Sequence, residues 1–148
     1  MDIIRSRPEH NEYLSRLSNN ILAFHQTIDP LYKPVPEDID PVDYSQGPML
    51  GYIALIEGKE VGGVMGKLVL SPLDRSAPYA GLQAIWVDEA YRGQGVAHAL
   101  VQAFENAAKE RGAQHVDIHV DVRNPFAVAL WMNEQYITYQ ERRKKNLL

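Results

Sequence analysis

No cysteine occurs among the 148 residues, which excludes a disulfide framework, a thiolate zinc site and a cysteine nucleophile. No apolar run approaches the ~18 residues of a membrane span, and the first ten residues, MDIIRSRPEH, carry charge where a secretion signal needs an apolar stretch. A cytoplasmic protein without membrane association is the expectation. Basic residues are the minority, 15 Lys and Arg against 19 Asp and Glu, and the net charge of −4 speaks against a general nucleic-acid binder. A small or cationic partner suits that balance better. What is present is core material: 45% of the chain is hydrophobic, enough to exclude intrinsic disorder. At this length the chain is expected to form one domain over residues 1–148.

Ile3 and Ile4 open a short strand, and Pro8 suits the first turn of a helix in which Leu14, Leu17, Ile21 and Phe24 recur at three- and four-residue spacing. From Asp29 to Asp43 that periodicity stops. Pro30, Pro34, Pro36 and Pro41 break helices there, and Asp29, Glu37, Asp38, Asp40 and Asp43 face a single Lys33, so an acidic loop is expected. Leu50 to Ile56 and Val61 to Leu70 read as a hairpin turning at Glu57 to Glu60, with Gly62, Gly63 and Gly66 marking a bulge or a close backbone approach. Tyr79 to Val87 is a third long strand.

Beyond it, Val96, Leu100, Phe104 and Ala107 form one apolar helical face that Gly112 ends. His115 to Val122 alternates, with Val116, Ile118, Val120 and Val122 on one face and His115, Asp117, His119 and Asp121 on the other. Asn124-Pro125 is a helix cap followed by proline at the first helical position, and a last strand is expected over Tyr136 to Glu141. The order is β-α-(α)-β-β-β-α-β-α-β, with no internal repeat.

The stretch with most chemical content is Arg92-Gly93-Gln94-Gly95-Val96-Ala97, between a strand and a helix. A helix start presents free N–H donors and the positive end of the dipole, and the small residues let an anion come close. A pyrophosphate would fit, with Arg92 adding a charge-assisted contact; an ordinary turn with a solvated Arg is the alternative. A P-loop is excluded because Val96-Ala97-His98 supplies no Gly-Lys-Ser/Thr, and a dinucleotide fingerprint because His98 stands where a third glycine belongs.

These residues resemble the GNAT superfamily of acetyl-CoA-dependent N-acetyltransferases. Arg92, Gly95 and Ala97 meet its signature of Gln or Arg, two residues, Gly, one residue, Gly or Ala, and the run from Ile85 to Gly95 is similar beyond that minimum. Asn124 and Ala127 match a second family pattern. The resemblance covers about residues 50 to 140. It implies an α/β fold, a mixed and mostly antiparallel sheet of about six strands, splayed between the fourth and fifth and flanked by helices on both faces.

Acetyl-CoA is the implied cosubstrate. Its pantetheine arm would lie in the gap along Ile85, Trp86 and Val87, and its pyrophosphate on the amides of Gly93, Gln94, Gly95, Val96 and Ala97. Asn124, Ala127 and Trp131 would contact the arm, although Asn124 also reads as a cap and Trp131, one helical turn from Ala127, as plain core. The implied reaction is acetyl transfer to a primary amine, of a small molecule or a peptide, by direct attack. The sequence does not set the oligomeric state; a homodimer is one assembly the resemblance allows, since dimers are common in the family.

The catalytic half departs from the family pattern. Gln83 replaces a frequent carboxylate, Trp131 the tyrosine that protonates the leaving thiolate, and Gln135-Tyr136 a Gly-Phe. A non-catalytic acyl-CoA-binding module is therefore the rival reading. His119, Asp117, Tyr79, Tyr136 and Tyr139 are acid-base candidates by residue type alone. No metal site is expected, because His115 and His119 on a strand stand ~13 Å apart. The acidic loop would attract a cationic amine or be a solvated connector, and the tail Glu141 to Lys145 reads as a solvated end.

Overall fold

A computed structural model describes residues 1–33 and 41–147. The elements are β1 (Asp2–Arg5), α1 (Asn11–Ile28), β2 (Met49–Ile56), β3 (Lys59–Val69), β4 (Tyr79–Val87), α2 (Val96–Glu110), β5 (His115–Ile118) and α3 (Pro125–Asn133), with single 3-10 turns over Pro8–His10 and Glu89–Tyr91. Residues 34–40 of the acidic loop, including Glu37, Asp38 and Asp40, lie outside the described residues.

The five strands run in the order β1-β2-β3-β4-β5. All neighbours are antiparallel except β4 and β5, which are parallel. β3 is the middle strand, covered on both sides, and Val61 to Gly66 is accordingly buried without alternation. One face packs on α2 through Val96, Leu100, Phe104 and Ala107, the helical face expected from its spacing, joined by Val101 and Ala108. The other packs on α1 through Tyr13, Leu14 and Leu17, which meet Tyr44, Ile53 and Met65. Helices thus lie on both faces of the sheet, as expected.

The irregularity expected at the glycines has a definite form. Opposite Met65 and Gly66, β4 contributes Ala84 and Leu82, so Gln83 is an extra residue in β4. A second shift, where Ala54 pairs Gly62 and Leu55 pairs Glu60, leaves Val61 extra in β3. Gly66 is the close approach: a Cβ there would stand 2.2 Å from the Gly81 carbonyl oxygen and 2.7 Å from the Phe104 ring.

The bulge at Gln83 inverts the side-chain alternation of β4. Ahead of it Ala80 and Leu82 face α2; after it Ile85 and Val87 face α2, while Ala84 and Trp86 face α1. A bulged strand also bends, and parallel pairing with β5 stops at Leu82↔Ile118, directly before the bulge. Among the described residues Gln83 to Val87 therefore have no strand partner on that edge, and β4 and β5 part where a splay is expected.

Two strand expectations are corrected. β5 ends at Ile118 rather than Val122, because β4 has bent away and offers no further ladder; Val122, expected on the buried face, is 83% exposed. Tyr136 to Glu141 forms no strand, so the sheet has five strands among the described residues, not about six. Gln135 takes φ +66, the Tyr136 N–H returns to the Trp131 carbonyl at 2.9 Å, and the segment beyond is held by side chains instead of a backbone ladder.

Candidate functional site

The geometry begins at the end of β4. The Asp88 N–H donates to the Val61 carbonyl at 2.8 Å, fixing the strand end. One turn of 3-10 helix then carries the chain to Arg92, whose Nε–H donates back to the Val87 carbonyl at 2.8 Å and whose guanidinium lies over the Trp86 ring at 4.9 Å. A long side chain braced at two points loses less freedom on meeting an anion.

Gly93 and Gly95 take φ of +75 and +83, a left-handed backbone that favours glycine, and nothing lies within 4 Å of where their Cβ atoms would be. Gly95 is the N-cap of α2, whose first hydrogen bond runs from the Ala99 N–H to the Gly95 carbonyl at 3.1 Å. The amides of Val96, Ala97 and His98 ahead of it are the helix's free donors, with the positive end of the dipole behind them.

A cavity of about 410 Å³ opens on these amides, lined by Val87, Arg92, Gly93, Gly95, Val96 and Ala97, all expected from the sequence. Tyr91, His98, Leu130, Asn133 and Glu134 complete the wall. His98 and Glu134 were not foreseen. They join across the cavity, Nδ1 to Oε1 at 2.9 Å, tying the start of α2 to the end of α3.

Ile85 and Trp86 lie on the unpaired stretch of β4 beside this cavity, and Gln94 sits exposed in the loop. Asn124 caps α3, its side chain accepting from the Ala127 N–H at 3.2 Å. Ala127 packs against the core, and Trp131 is in it, 4% exposed and edge-on to Tyr136 at 5.0 Å.

The acid-base candidates are dispersed. Tyr79 stacks on His115 at the paired end of β4, roughly 25 Å along the strand from Val87. Tyr136 donates to Glu105 of α2 at 2.9 Å, and burial with that carboxylate pushes its phenol far above the ordinary range. Tyr139 donates to Asp117 at 2.9 Å, which raises its pKa too. His119 is exposed on the arm that leaves β5, next to the gap. Gln83, at the bulge, accepts a long 3.4 Å hydrogen bond from Tyr44, a buried phenol that no sequence pattern marked. No metal-binding group of acidic, histidine or cysteine side chains occurs among the described residues.

On the α1 side a charged cluster joins three chain segments. Asp29, at the end of α1, has a side chain only 5% exposed; it accepts from Lys144, from the Leu31 N–H at 2.9 Å and from Arg123 at 2.9 Å. Arg123 also grips Asp121 through both carboxylate oxygens, at 2.9 and 2.7 Å. The hydrogen bond from Lys144, with those from Leu31 and Arg123, holds the Asp29 carboxyl well below the usual carboxylate range. Arg123 pulls Asp121 from 3.8 down to about 2.

A carboxyl with a depressed folded pKa contributes stability that is present above its unfolded value and lost as the pH falls toward the folded one. Asp121 therefore steepens acid unfolding between pH 3.8 and about 2. In Asp121→Asn the urea midpoint is expected to change less with pH across that window than in the parent; equal slopes would remove the carboxylate from the account.

A model of the acetyltransferase (GNAT) family matches residues 20–134, well over half of the chain. The chain belongs to that family. Among curated proteins it is 32% identical over 95 residues to N-alpha-acetyltransferase 30 of Schizosaccharomyces pombe, covering 64% of this chain and 62% of that one. It is 36% identical over 59 residues to the uncharacterized N-acetyltransferase YdgE of Bacillus subtilis, covering 40% and 38%. The matches thus span less than two thirds of either curated relative.

Among solved structures, a mutant of the BH1408 protein from Bacillus halodurans superposes with a TM-score of 0.87 at 18% identity, over 100% of both chains. An aminoglycoside acetyltransferase from an uncultured soil metagenomic sample, in complex with sisomicin, gives 0.69 at 17% identity over 99% and 95%. An aminoglycoside N-acetyltransferase in complex with CoA gives 0.64 at 20% identity over 96% and 100%. At these identities the likeness is one of fold.

Proposed function

We propose that this chain moves an acetyl group from acetyl-CoA to a primary amine. The observation that carries the reading is the set of free amides at Val96 to His98, reached past two left-handed glycines and opening into the cavity beside the unpaired edge of β4. Donors at a helix start suit a pyrophosphate, and Arg92, braced by Val87 and Trp86, adds the fixed positive charge. The unpaired backbone from Gln83 to Val87 has the amide and carbonyl groups to hold an extended, amide-bearing pantetheine arm as a strand would be held.

Bound there, acetyl-CoA supplies a thioester whose carbonyl an amine can attack directly. The chain's part is to orient that carbonyl and polarise it with backbone N–H groups near Ile85 to Val87. With no cysteine and no serine beside a base at motif spacing, direct attack is preferred to a covalent enzyme intermediate. The amine loses one proton on becoming an amide, and the departing thiolate takes one up. His119, exposed on the arm that leaves β5, is the candidate left for the first transfer, since Tyr79 and Tyr136 are engaged elsewhere.

A second reading, an acyl-CoA-binding module without turnover, has its own support. Gln83 cannot serve as a base, and the Trp131 indole, buried in the core, cannot act as an acid. Thiol release from acetyl-CoA with a panel of amines and amino-terminal peptides separates the two. Release that depends on the amine supports the transferase; acetyl-CoA binding with no release above hydrolysis supports the module.

A further inference from the structure

His98 and Glu134 meet across the cavity at the start of α2, and their contact decides which ring nitrogen of His98 can titrate. Nδ1 lies 2.9 and 3.0 Å from the two carboxylate oxygens. An ionised carboxylate only accepts, so Nδ1 keeps its hydrogen whether the ring is neutral or charged. Nε2 is therefore the nitrogen that gains or loses a proton, and among the described residues it has no hydrogen-bond partner.

The ring stands beside the free amides. His98 is the third residue of α2, and helical side chains tilt toward the N-terminus, so it leans over the same first turn whose donors include its own N–H. The His98 side chain is 63% exposed and that of Glu134 only 10%. The carboxylate is thus set into the wall, and the ring is what a ligand meets. The other titratable groups lining the cavity are Tyr91 and Arg92 of the loop; beyond them Glu105 of α2 is bound by the Tyr136 phenol. Of these side chains only histidine is of a type that changes charge between about pH 6 and 8. Within that window Glu134 and Arg92 offset one another, and the ring decides whether the wall is neutral or positive. A pyrophosphate favours the protonated ring, whose Nε2–H donates, over the neutral one, whose Nε2 lone pair would face an oxygen.

We propose that His98 takes up a proton from solvent when acetyl-CoA binds and donates through Nε2 to a phosphate oxygen, with Glu134 as the counter-charge on Nδ1. The inference rests on the acetyl-CoA reading of this cavity. A ligand that raises the titration midpoint of a group binds the protonated form more tightly by the same factor, so affinity for acetyl-CoA should rise as the pH falls through the histidine range. Glu134 acts in two directions: it steadies the imidazolium, and above that range its carboxylate repels the phosphates. A plain brace between α2 and α3 would do neither.

Proton NMR of the histidine rings, with the His98 signals assigned by their absence from His98→Gln, tests this on the whole chain without requiring turnover. Saturating acetyl-CoA is expected to raise the His98 midpoint by about one pH unit, equivalent to about tenfold tighter binding by the protonated form. Calorimetric titration should find that, between pH 8 and pH 6, the parent gains about fivefold in affinity beyond any gain in His98→Gln, a comparison that cancels the titration of the ligand's own phosphate. Glu134→Gln, whose amide oxygen can still accept from Nδ1, should bind about threefold more tightly than the parent at pH 8, because only the charge has gone. A His98 midpoint that acetyl-CoA leaves in place would overturn the proposal, and so would weaker binding by Glu134→Gln at pH 8, which would mark the link as a brace. Should acetyl-CoA fail to bind, the transferase reading falls, and inorganic pyrophosphate in the same NMR titration decides on His98: a raised midpoint upholds the anion contact and an unmoved one overturns it.

Discussion

Gly95→Val should lose acetyl-CoA affinity by about a hundredfold or more while remaining folded. The residue is at φ +83, where a β-branched side chain costs roughly 1–2 kcal/mol, so the melting temperature should fall by about 3 to 8 °C. The larger loss is in binding. A valine either pushes the loop out of its left-handed turn, taking the amides of Val96 and Ala97 off their line, or projects into the open space where a phosphate would approach. Hydrogen bonds to a charged group are worth about 1.5–3 kcal/mol each, so losing two gives at least that hundredfold.

Gly58→Val is the matched control. Gly58 sits at φ +76 in the β2–β3 turn, also with nothing within 4 Å of its Cβ position, and so shares the backbone penalty without the site. Calorimetric titration should find its affinity unchanged. If both variants bound acetyl-CoA as the parent does, the assignment of this loop would be wrong.

Gly66→Ala should be among the most destabilising single-methyl changes in the chain. The added carbon would stand 2.2 Å from the Gly81 carbonyl and within 3 Å of two Phe104 ring atoms, and neither backbone nor a fully buried ring can retreat cheaply. Overpacking of this kind costs about 3 kcal/mol or more, roughly 6 to 12 °C in melting temperature for a chain of this length. Gly81→Ala, whose nearest atom is 3.6 Å away, should cost under about 1 kcal/mol. A Gly66→Ala protein melting within two or so degrees of the parent would mean that β3 and β4 do not meet as closely as described.

These two glycines also show what local sequence can and cannot convey. The geometry of the glycine loop was legible because strand end, glycines and helix start all fall between Val87 and His98, and it follows from backbone preference alone. The bulge was only half legible. Glycines in β3 pointed to an irregularity, yet the extra residue opposite Met65 and Gly66 is Gln83 in the partner strand. Its trace in the sequence is the change of phase in β4, where apolar residues on the α2 face pass from Ala80 and Leu82 to Ile85 and Val87.

Tyr136 to Tyr139 has the aromatic and β-branched residues of a strand, but pairing depends on an available edge, and β5 offers four residues before the splay ends it. The His98–Glu134 link across the cavity joins residues 36 apart and left no mark in either local pattern. The Asp29 cluster was out of reach for the same reason: its partners Arg123 and Lys144 are 94 and 115 residues away, and no spacing rule connects an acid after a helix to a basic tail. Trp131 had two readings from one spacing, cofactor wall and core; the structure places the indole in the core against Tyr136.

The central claim, that the start of α2 receives the pyrophosphate of acetyl-CoA, is tested most directly by amide hydrogen exchange with and without the ligand. Free donors at a helix start exchange readily, and hydrogen bonding to a bound anion should slow them. With saturating acetyl-CoA the amides of Val96, Ala97 and His98 are expected to exchange at least about tenfold more slowly, an effect of ~1.4 kcal/mol, while those of the β2–β3 turn at Glu57 and Gly58 do not change. Acetyl-CoA that binds yet leaves Val96 to His98 exchanging at their free rates, or that protects a different set of amides, would contradict the account.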